Sequence, residues 1–381
     1  MFGFKIHKYS IGLDISDLNL KAVQLSQSGK KIKVQALSRV DLPKGIIERG
    51  SIKDKQVVLS ALETLLKKPT YGSFTANQVV ACLPETRTFI KQITVEKGPN
   101  KLENIIESEI EKYIPMSVNE ICYDWQVINE QADDYQILIG AAPNHIVEQY
   151  IDLVKSARLE ISALEIEAMP ICRSLLVEES AKTKLDNNNE NAYGIIDIGA
   201  KRTSLIVYTN SSIAFTISLP ISGEEITERI AKTLEITRDQ AEKAKIICGF
   251  DKSNARGIIS DILADMVQNL VGRINDAIEY YAKNYPNFPS IKKLYIAGGG
   301  ANIKNLCEIL SKELNIEVVK GNPFLNIDET EEKFGKNLLE THNLNNKTIS
   351  DVEGKLSSKQ SSSISYTTSI GLALRNIFLM K

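Results

Sequence analysis

Asp14 and Asp197 each follow an apolar run and precede a small or polar turn. The runs are Ile11-Gly-Leu-Asp-Ile-Ser16 in one half of the chain and Ile195-Ile-Asp-Ile-Gly199 in the other. A second apolar run follows each turn, at residues 21–25 and 204–208. The pattern reads as a β-hairpin whose turn follows an aspartate, once per half-chain. A turn of small and polar residues leaves backbone N–H groups to face a phosphate. An aspartate at the strand end is placed to hold a hydrated Mg²⁺ beside that phosphate. Two such hairpins facing each other would clamp a nucleotide; two buried hairpins serving only as sheet strands are the plain alternative.

Leu294-Tyr-Ile-Ala-Gly-Gly-Gly-Ala301 supplies a third element, an apolar strand running into a glycine turn with a helical pattern behind it. Consecutive glycines at 298–300 let the backbone pass close to a flat ligand such as a base. Many α/β proteins carry such a turn, so alone it says little. Between the second hairpin and this turn lie Gly223-Glu-Glu-Ile-Thr227 and Ala241-Glu-Lys-Ala-Lys245. In isolation Glu242 and Lys245 read as an ordinary exposed i, i+3 ion pair, worth only ~0.2–0.5 kcal/mol. The order hairpin, hairpin, Gly-Glu-x-Ile-Thr, Ala-Glu-x-x-Lys, triple glycine is far more specific than any piece of it.

The elements that must position these residues follow from apolar periodicity. Residues 10–16, 20–26 and 31–40 read as strands, and 54–66 has a helical period through Val57, Val58, Ala61, Leu62 and Leu65. Residues 78–83 are a buried strand ended by Pro84. From 85 to 159 the pattern becomes strand, helix, strand, strand, helix, an α+β subdomain inserted in the first lobe. Strand and helix patterns return at 160–165 and 167–178. The run 183–190 (TKLDNNNE) is a polar connector, and the second lobe occupies 191–327. The first-lobe core is then 9–84 with 160–190 and 366–381. Residues 328–365, rich in Ser, Asn, Glu, Lys and Thr, read as a flexible polar insertion. Residues 366–380 set Ile370, Leu374, Ile377 and Phe378 at helical spacing.

Composition narrows the class. A chain of 381 residues with 43% apolar content can bury two lobes. A net charge of −2 leaves no basic footprint for nucleic acid. Five cysteines without a CxxC pair and three scattered histidines suggest reduced thiols and no zinc site. No apolar run reaches the ~18 residues of a membrane span, and residues 1–9 lack a secretory core. A cytoplasmic protein is expected.

The order of motifs resembles the actin-like ATPase superfamily, and within it the PilM family of type IV pilus assembly proteins. The wording that carries this is IGLDI at 11–15, KAVQL at 21–25, VVACLP at 79–84, ESEIEKYIP at 107–115, YDWQV at 123–127, LEIEA at 164–168, GIIDIG at 194–199 and IGLALR at 370–375. The resemblance implies an α/β, ribonuclease H-like two-lobed fold with duplicated mixed sheets and a small inserted subdomain. It also implies ATP and Mg²⁺ as ligands. Asp14, Ser16, Asp17 and Lys21 would form the first phosphate hairpin, and Asp197, Gly199, Lys201 and Thr203 the second. Asp14 and Asp197 would hold Mg²⁺. Gly223, Glu242 and Lys245 would line the ribose and base, with Gly298, Gly299 and Gly300 against the adenine and α-phosphate. Glu167 matches the position that orients an attacking water.

The first hairpin departs from the family pattern: Ser16 stands for a glycine, and Asp17 adds a negative charge near the phosphates. Turnover of about one per minute or less is therefore expected, against a median of ~10 s⁻¹ for enzymes. The resemblance further implies a scaffold docking the cytoplasmic tail of a PilN-like inner-membrane protein. The protein would then be peripheral to that membrane, with contact to the pilus assembly ATPase and self-association left open. The block 85–159 would make the docking groove, flanked by the 101–113 helix and the 123–127 strand. An FtsA-like filament former and a small-molecule kinase of the same superfamily are the alternatives.

Overall fold

Both aspartate runs become strands, each in a different sheet. A computed structural model describes residues 9–99, 101–114, 116–177, 191–328 and 363–379. In chain order the strands are β1 Ile11–Ser16, β2 Asn19–Ser28, β3 Lys31–Asp41, β4 Ile47–Glu48, β5 Ser51–Ile52, β6 Tyr71–Gly72, β7 Gln78–Leu83, β8 Phe89–Glu96, β9 Ile121–Glu130, β10 Asp134–Pro143, β11 Glu160–Ile166, β12 Ala192–Ile198, β13 Thr203–Thr209, β14 Ser212–Leu219, β15 Ile291–Ala297 and β16 Glu317–Lys320. The helices are α1 Lys55–Lys67, α2 Leu102–Tyr113, α3 Asn144–Ser156, α4 Ala168–Leu175, α5 Gly223–Leu234, α6 Arg238–Cys248, α7 Ile258–Asn284, α8 Leu306–Leu314 and α9 Thr367–Leu379. Local signals set several boundaries. Asp54 caps α1 by accepting the Gln56 and Val57 N–H groups at 3.1 Å each, and Ser222 caps α5 through Glu225 N–H.

The first sheet runs β11-β7-β1-β2-β3-β6 and the second β16-β15-β12-β13-β14-β8-β10-β9. In each, the aspartate strand pairs antiparallel with its hairpin mate and parallel with a strand on its other side. Repetition of that arrangement in the two sheets turns both hairpins toward one cleft.

Three features depart from the sequence reading. Strands β8, β10 and β9 join the second sheet through β14, at Phe215 opposite Lys91. The Tyr285 hydroxyl ties that seam, 3.2 Å from Gln92 O and 3.1 Å from Ala214 O. Helix α3, read as part of the inserted block, packs Ile146, Tyr150, Leu153 and Val154 into the first-lobe core beside Leu62 and Leu65. The polar stretch 183–190 and residues 329–362 of the expected insertion lie outside the described residues. Ser363–Tyr366 form a 3-10 turn with Ser363 and Ile364 buried, so packed structure includes residues that the polar insertion was expected to hold.

Helix α9 lies against β1, β2 and α4 with most of its length buried. Two glycines permit the approach. A Cβ on Gly12 would stand 2.1 Å from Ser369 O, and one on Gly371 would stand 1.9 Å from Pro170 O. Asn376, fully buried, donates to Ser10 Oγ at 3.0 Å and Ser162 Oγ at 2.9 Å, tying the helix to both neighbouring segments. Gly371→Val forces α9 off α4 and is expected to cost about 3 kcal/mol. Urea denaturation followed by circular dichroism measures this, and an unchanged midpoint contradicts the packing.

Candidate functional site

Strand register decides which side chains meet. Asp14 faces Lys21 across the first hairpin, and Asp197 faces Ser204 across the second. Both acids line a cleft of about 350 Å³ between the sheets. Asp14 is 2% exposed and Lys21 9%, and Lys21 Nζ reaches Asp14 Oδ2 at 2.9 Å. Ser16 Oγ donates to Asp14 Oδ1 at 2.8 Å.

The first-hairpin departures cost less than the sequence suggests. Neither Ser16 nor its turn neighbours Asp17 and Leu18 has a positive φ, so glycine is not required there. The Asp17 carboxylate accepts the N–H groups of Arg49 at 3.1 Å and Gly50 at 2.9 Å, pinning the β4–β5 turn beneath the hairpin. Its charge is thus already engaged by backbone dipoles.

Of the residues singled out from sequence, Asp14, Ser16, Asp17, Lys21, Glu167, Asp197, Gly199, Lys201, Gly223, Glu242, Lys245, Gly298, Gly299 and Gly300 all line the cleft. Thr203 does not. Strand alternation sends Ser204 to the cleft and Thr203 to the interior, where its hydroxyl donates to Ile221 O at 2.9 Å. Lys245 is no exposed ion pair: at 4% exposure it donates to Gly223 O, Thr227 Oγ1 and Glu242 Oε2 within 2.9 Å. That network fixes the start of α5 to α6.

The three glycines differ in kind. Gly298 has φ +73°, and a Cβ there would come within 2.5 Å of Asp197 Oδ1; one on Gly300 would strike Ile198. Around Gly299 a Cβ meets nothing within 4 Å. Its backbone borders open cleft, a cradle that a flat ligand could fill.

Two acids missed from sequence complete the lining. Glu85 follows Pro84 in the crossing toward β8, is 8% exposed, and its Oε2 accepts from Ser204 Oγ at 3.1 Å. It repeats the signature of Asp14 and Asp197, an apolar run ending in an acid, which could have revealed it. Glu224, 5% exposed on α5, takes Lys44 and Lys201 at 2.5 Å each and Arg238 at 2.7 Å. Burial works against its charge, but the hydrogen bonds from Lys201 and Lys44 and the charge of Arg238 prevail and hold its pKa at about 2.

The deep cleft therefore carries Asp14, Glu85, Glu167 and Asp197 against Lys21. Burial pushes Asp197 up to about 6, with Lys21 resisting and Asp14 and Glu85 assisting. Burial, then Asp14, Asp197 and Glu85, pushes Glu167 well above the usual carboxylate range. Burial also raises Glu85, partly offset by Ser204 and Arg202. Among the described residues no three acidic, histidine or cysteine side chains converge closely enough to hold a metal alone. One or two carboxylates plus waters and phosphate oxygens is the coordination Mg²⁺ prefers, and Asp14 and Asp197 fit it.

A larger groove of about 800 Å³ opens elsewhere, lined by Ile90, Leu138, Ile166, Met169, Leu176 and Phe378 among others, and by β9. Strand β9 ends the second sheet, so its outer edge has no strand partner among the described residues. Helix α2 does not flank this groove. It packs Ile106 and Ile110 on Ile137 and Ile139, while the alternate residues Leu138 and Gly140 face the groove.

The sequence profile of the family described as type IV pilus assembly protein PilM matches residues 12–377. A structure titled PilM–PilN type IV pilus biogenesis complex superposes with TM-score 0.74 at 22% identity, over 97% of this chain and 98% of that one. The ethanolamine utilization protein EutJ from Carboxydothermus hydrogenoformans superposes with TM-score 0.52 at 16% identity, over 97% and 92% of the two chains. The fold is the actin-like one. Among curated proteins, the cell division protein FtsA of Buchnera aphidicola subsp. Acyrthosiphon pisum (strain APS) is 21% identical over 205 residues, 47% of this chain and 49% of that one. FtsA of Bacillus subtilis (strain 168) is 34% identical over 80 residues, 21% of this chain and 18% of that one. The chain spans about half or less of the length of the curated relatives it matches.

With Asp197 held near 6, the folded protein keeps a proton that the unfolded chain releases at lower pH, so this group's contribution to stability falls as pH rises from about 4 to 6. Asp197→Asn is expected to flatten that slope and to stabilise the protein at pH 7.5 by about 1–2 kcal/mol, below the full value of the shift because Asp197 borders open cleft. Denaturation midpoints across pH check it, and a variant less stable than wild type at pH 7.5 contradicts it.

Proposed function

The chain belongs to the type IV pilus assembly protein PilM family, and on that premise we propose that it is an ATP-binding scaffold of the pilus assembly machinery that captures the tail of a PilN-like inner-membrane protein. The observation that carries the nucleotide half is the facing pair of aspartate hairpins with Gly299 open beside them. In this reading Asp14 and Asp197 would hold Mg²⁺, which would supply charge neutralisation at the phosphates. Lys21 moves from Asp14 toward a phosphate as a point charge. Gly223 and the Glu242–Lys245 network border the ribose and base. Glu167, which precedes α4 and lines the cleft, orients the attacking water in this reading.

The tail half rests on the groove beside β9. An extended segment can add to the β9 edge, which pairs with no strand among the described residues, by backbone hydrogen bonds, while apolar side chains enter the pocket walled by Leu138, Met169 and Phe378. Among the described residues no helix is long and apolar enough to cross a membrane. Residence in the cytoplasm, with membrane attachment through the captured tail, is part of the proposal.

Titration calorimetry should show saturable Mg-ATP binding that strengthens from pH 5.5 to 7.5, because a cation favours ionised Asp197. Gly299→Val should fold normally yet lose binding, and phosphate release should stay near one per minute or below, far under the ~10 s⁻¹ of a typical enzyme. Full affinity in Gly299→Val defeats the cleft assignment. A peptide carrying the first residues of the neighbouring PilN-like protein should bind in the micromolar range or tighter. Met169→Glu should weaken it at least tenfold with Mg-ATP binding intact; an unaffected peptide moves the docking site elsewhere.

A further inference from the structure

Lys44 belongs to the first lobe, in the link from β3 to β4, where Leu42 N–H holds the chain to Leu18 O at 2.8 Å. Its ammonium crosses the cleft mouth to α5 of the second lobe, 2.5 Å from Glu224 Oε1 and 3.2 Å from Glu228 Oε1. The lysine side chain is 53% exposed, but that of Glu224 is 4% exposed and is held from behind by Lys201 and Arg238. One end of the contact is therefore fixed and desolvated, and the other is an exposed arm. We propose that Lys44 is a clasp across the cleft mouth, closing the lobes over bound nucleotide and setting its rate of release. The proposal rests on the nucleotide reading for its ligand, but lobe closure by Lys44 stands apart from it.

The geometry favours a clasp over a simple surface ion pair for three reasons. Glu224 stays charged across the neutral range, so the anchor does not switch off with pH. Lys44, Lys201, Glu224 and Arg238 all border the cleft, so the contact sits on the path by which a ligand leaves. Glu224 also joins Lys201, in the turn of the second hairpin, to the clasp, so opening the mouth and loosening that turn are linked. Because the Lys44 end is exposed, salt must weaken the clasp.

The test loads the full-length protein with a fluorescent ATP analogue and Mg²⁺ and follows release by stopped flow on adding excess ATP. Lys44→Ala should release roughly fivefold faster than wild type at low salt and lose most of the salt dependence that wild type shows. Lys44→Glu should release faster still, and Lys44→Glu with Glu228→Lys should return the rate toward wild type. A Lys44→Ala rate and salt dependence equal to those of wild type overturn the clasp. A second measurement needs no nucleotide: spin labels at the exposed positions 30 and 232, with Cys122→Ser, Cys248→Ser and Cys307→Ser, report the distance between lobes. Lys44→Glu should lengthen or broaden it. If wild type binds no nucleotide but the distance lengthens, the clasp holds and the nucleotide reading fails; an unchanged distance overturns the clasp itself.

Discussion

Charge in a confined space governs this molecule. Asp14, Glu85, Glu167 and Asp197 border one cleft with Lys21 as the cation paired deepest among them. Burial and the neighbouring carboxylates work against ionisation here, and they push Glu85, Glu167 and Asp197 above the usual carboxylate range. The neighbouring hub has the opposite balance: Glu224 gathers Lys44, Lys201 and Arg238 and stays ionised. Acids with raised pKa deep in the cleft and a charged clasp at its mouth follow from the same rule, applied where cations are scarce and where they are plentiful.

The fold exists to set those charges facing each other. Each sheet presents one aspartate at a strand end, and a one-residue slip in either hairpin would turn it into the core. Thr203 shows the rule from the other side, pointing inward because Ser204 points out. The close fit of α9 on β1 through Gly12 and Gly371 braces the strand that carries Asp14. Fusion of β8, β10 and β9 to the second sheet means that the wall of the groove beside β9 and the second hairpin share one sheet.

Much of this was legible in the sequence because the informative patterns are local. A strand ending in an acid before a turn needs only six residues to be read, and the glycine turn and the Gly-Glu-x-Ile-Thr helix are equally compact. Glu85 carries the same local mark and went unread because its run ends in a proline rather than a hairpin. Glu224 could not be found that way: its partners come from positions 44, 201 and 238, which only the fold brings together. Nor could the seam of β8 with β14, which rests on Phe215 opposite Lys91, or the burial of α3 in the first core. Ser16 and Asp17 look damaging in a string of letters; in the fold the turn needs no glycine, and Asp17 is satisfied by the N–H groups of Arg49 and Gly50.

The central claim is that the cleft exchanges protons for a cation-bound ligand. Calorimetric titration with Mg-ATP at pH 6, repeated in buffers of different ionisation enthalpy, counts the protons exchanged on binding. The account predicts net proton release at pH 6 that is smaller at pH 8, where Asp197 is already ionised. Proton uptake, or binding at pH 6 with no protons released, would contradict it.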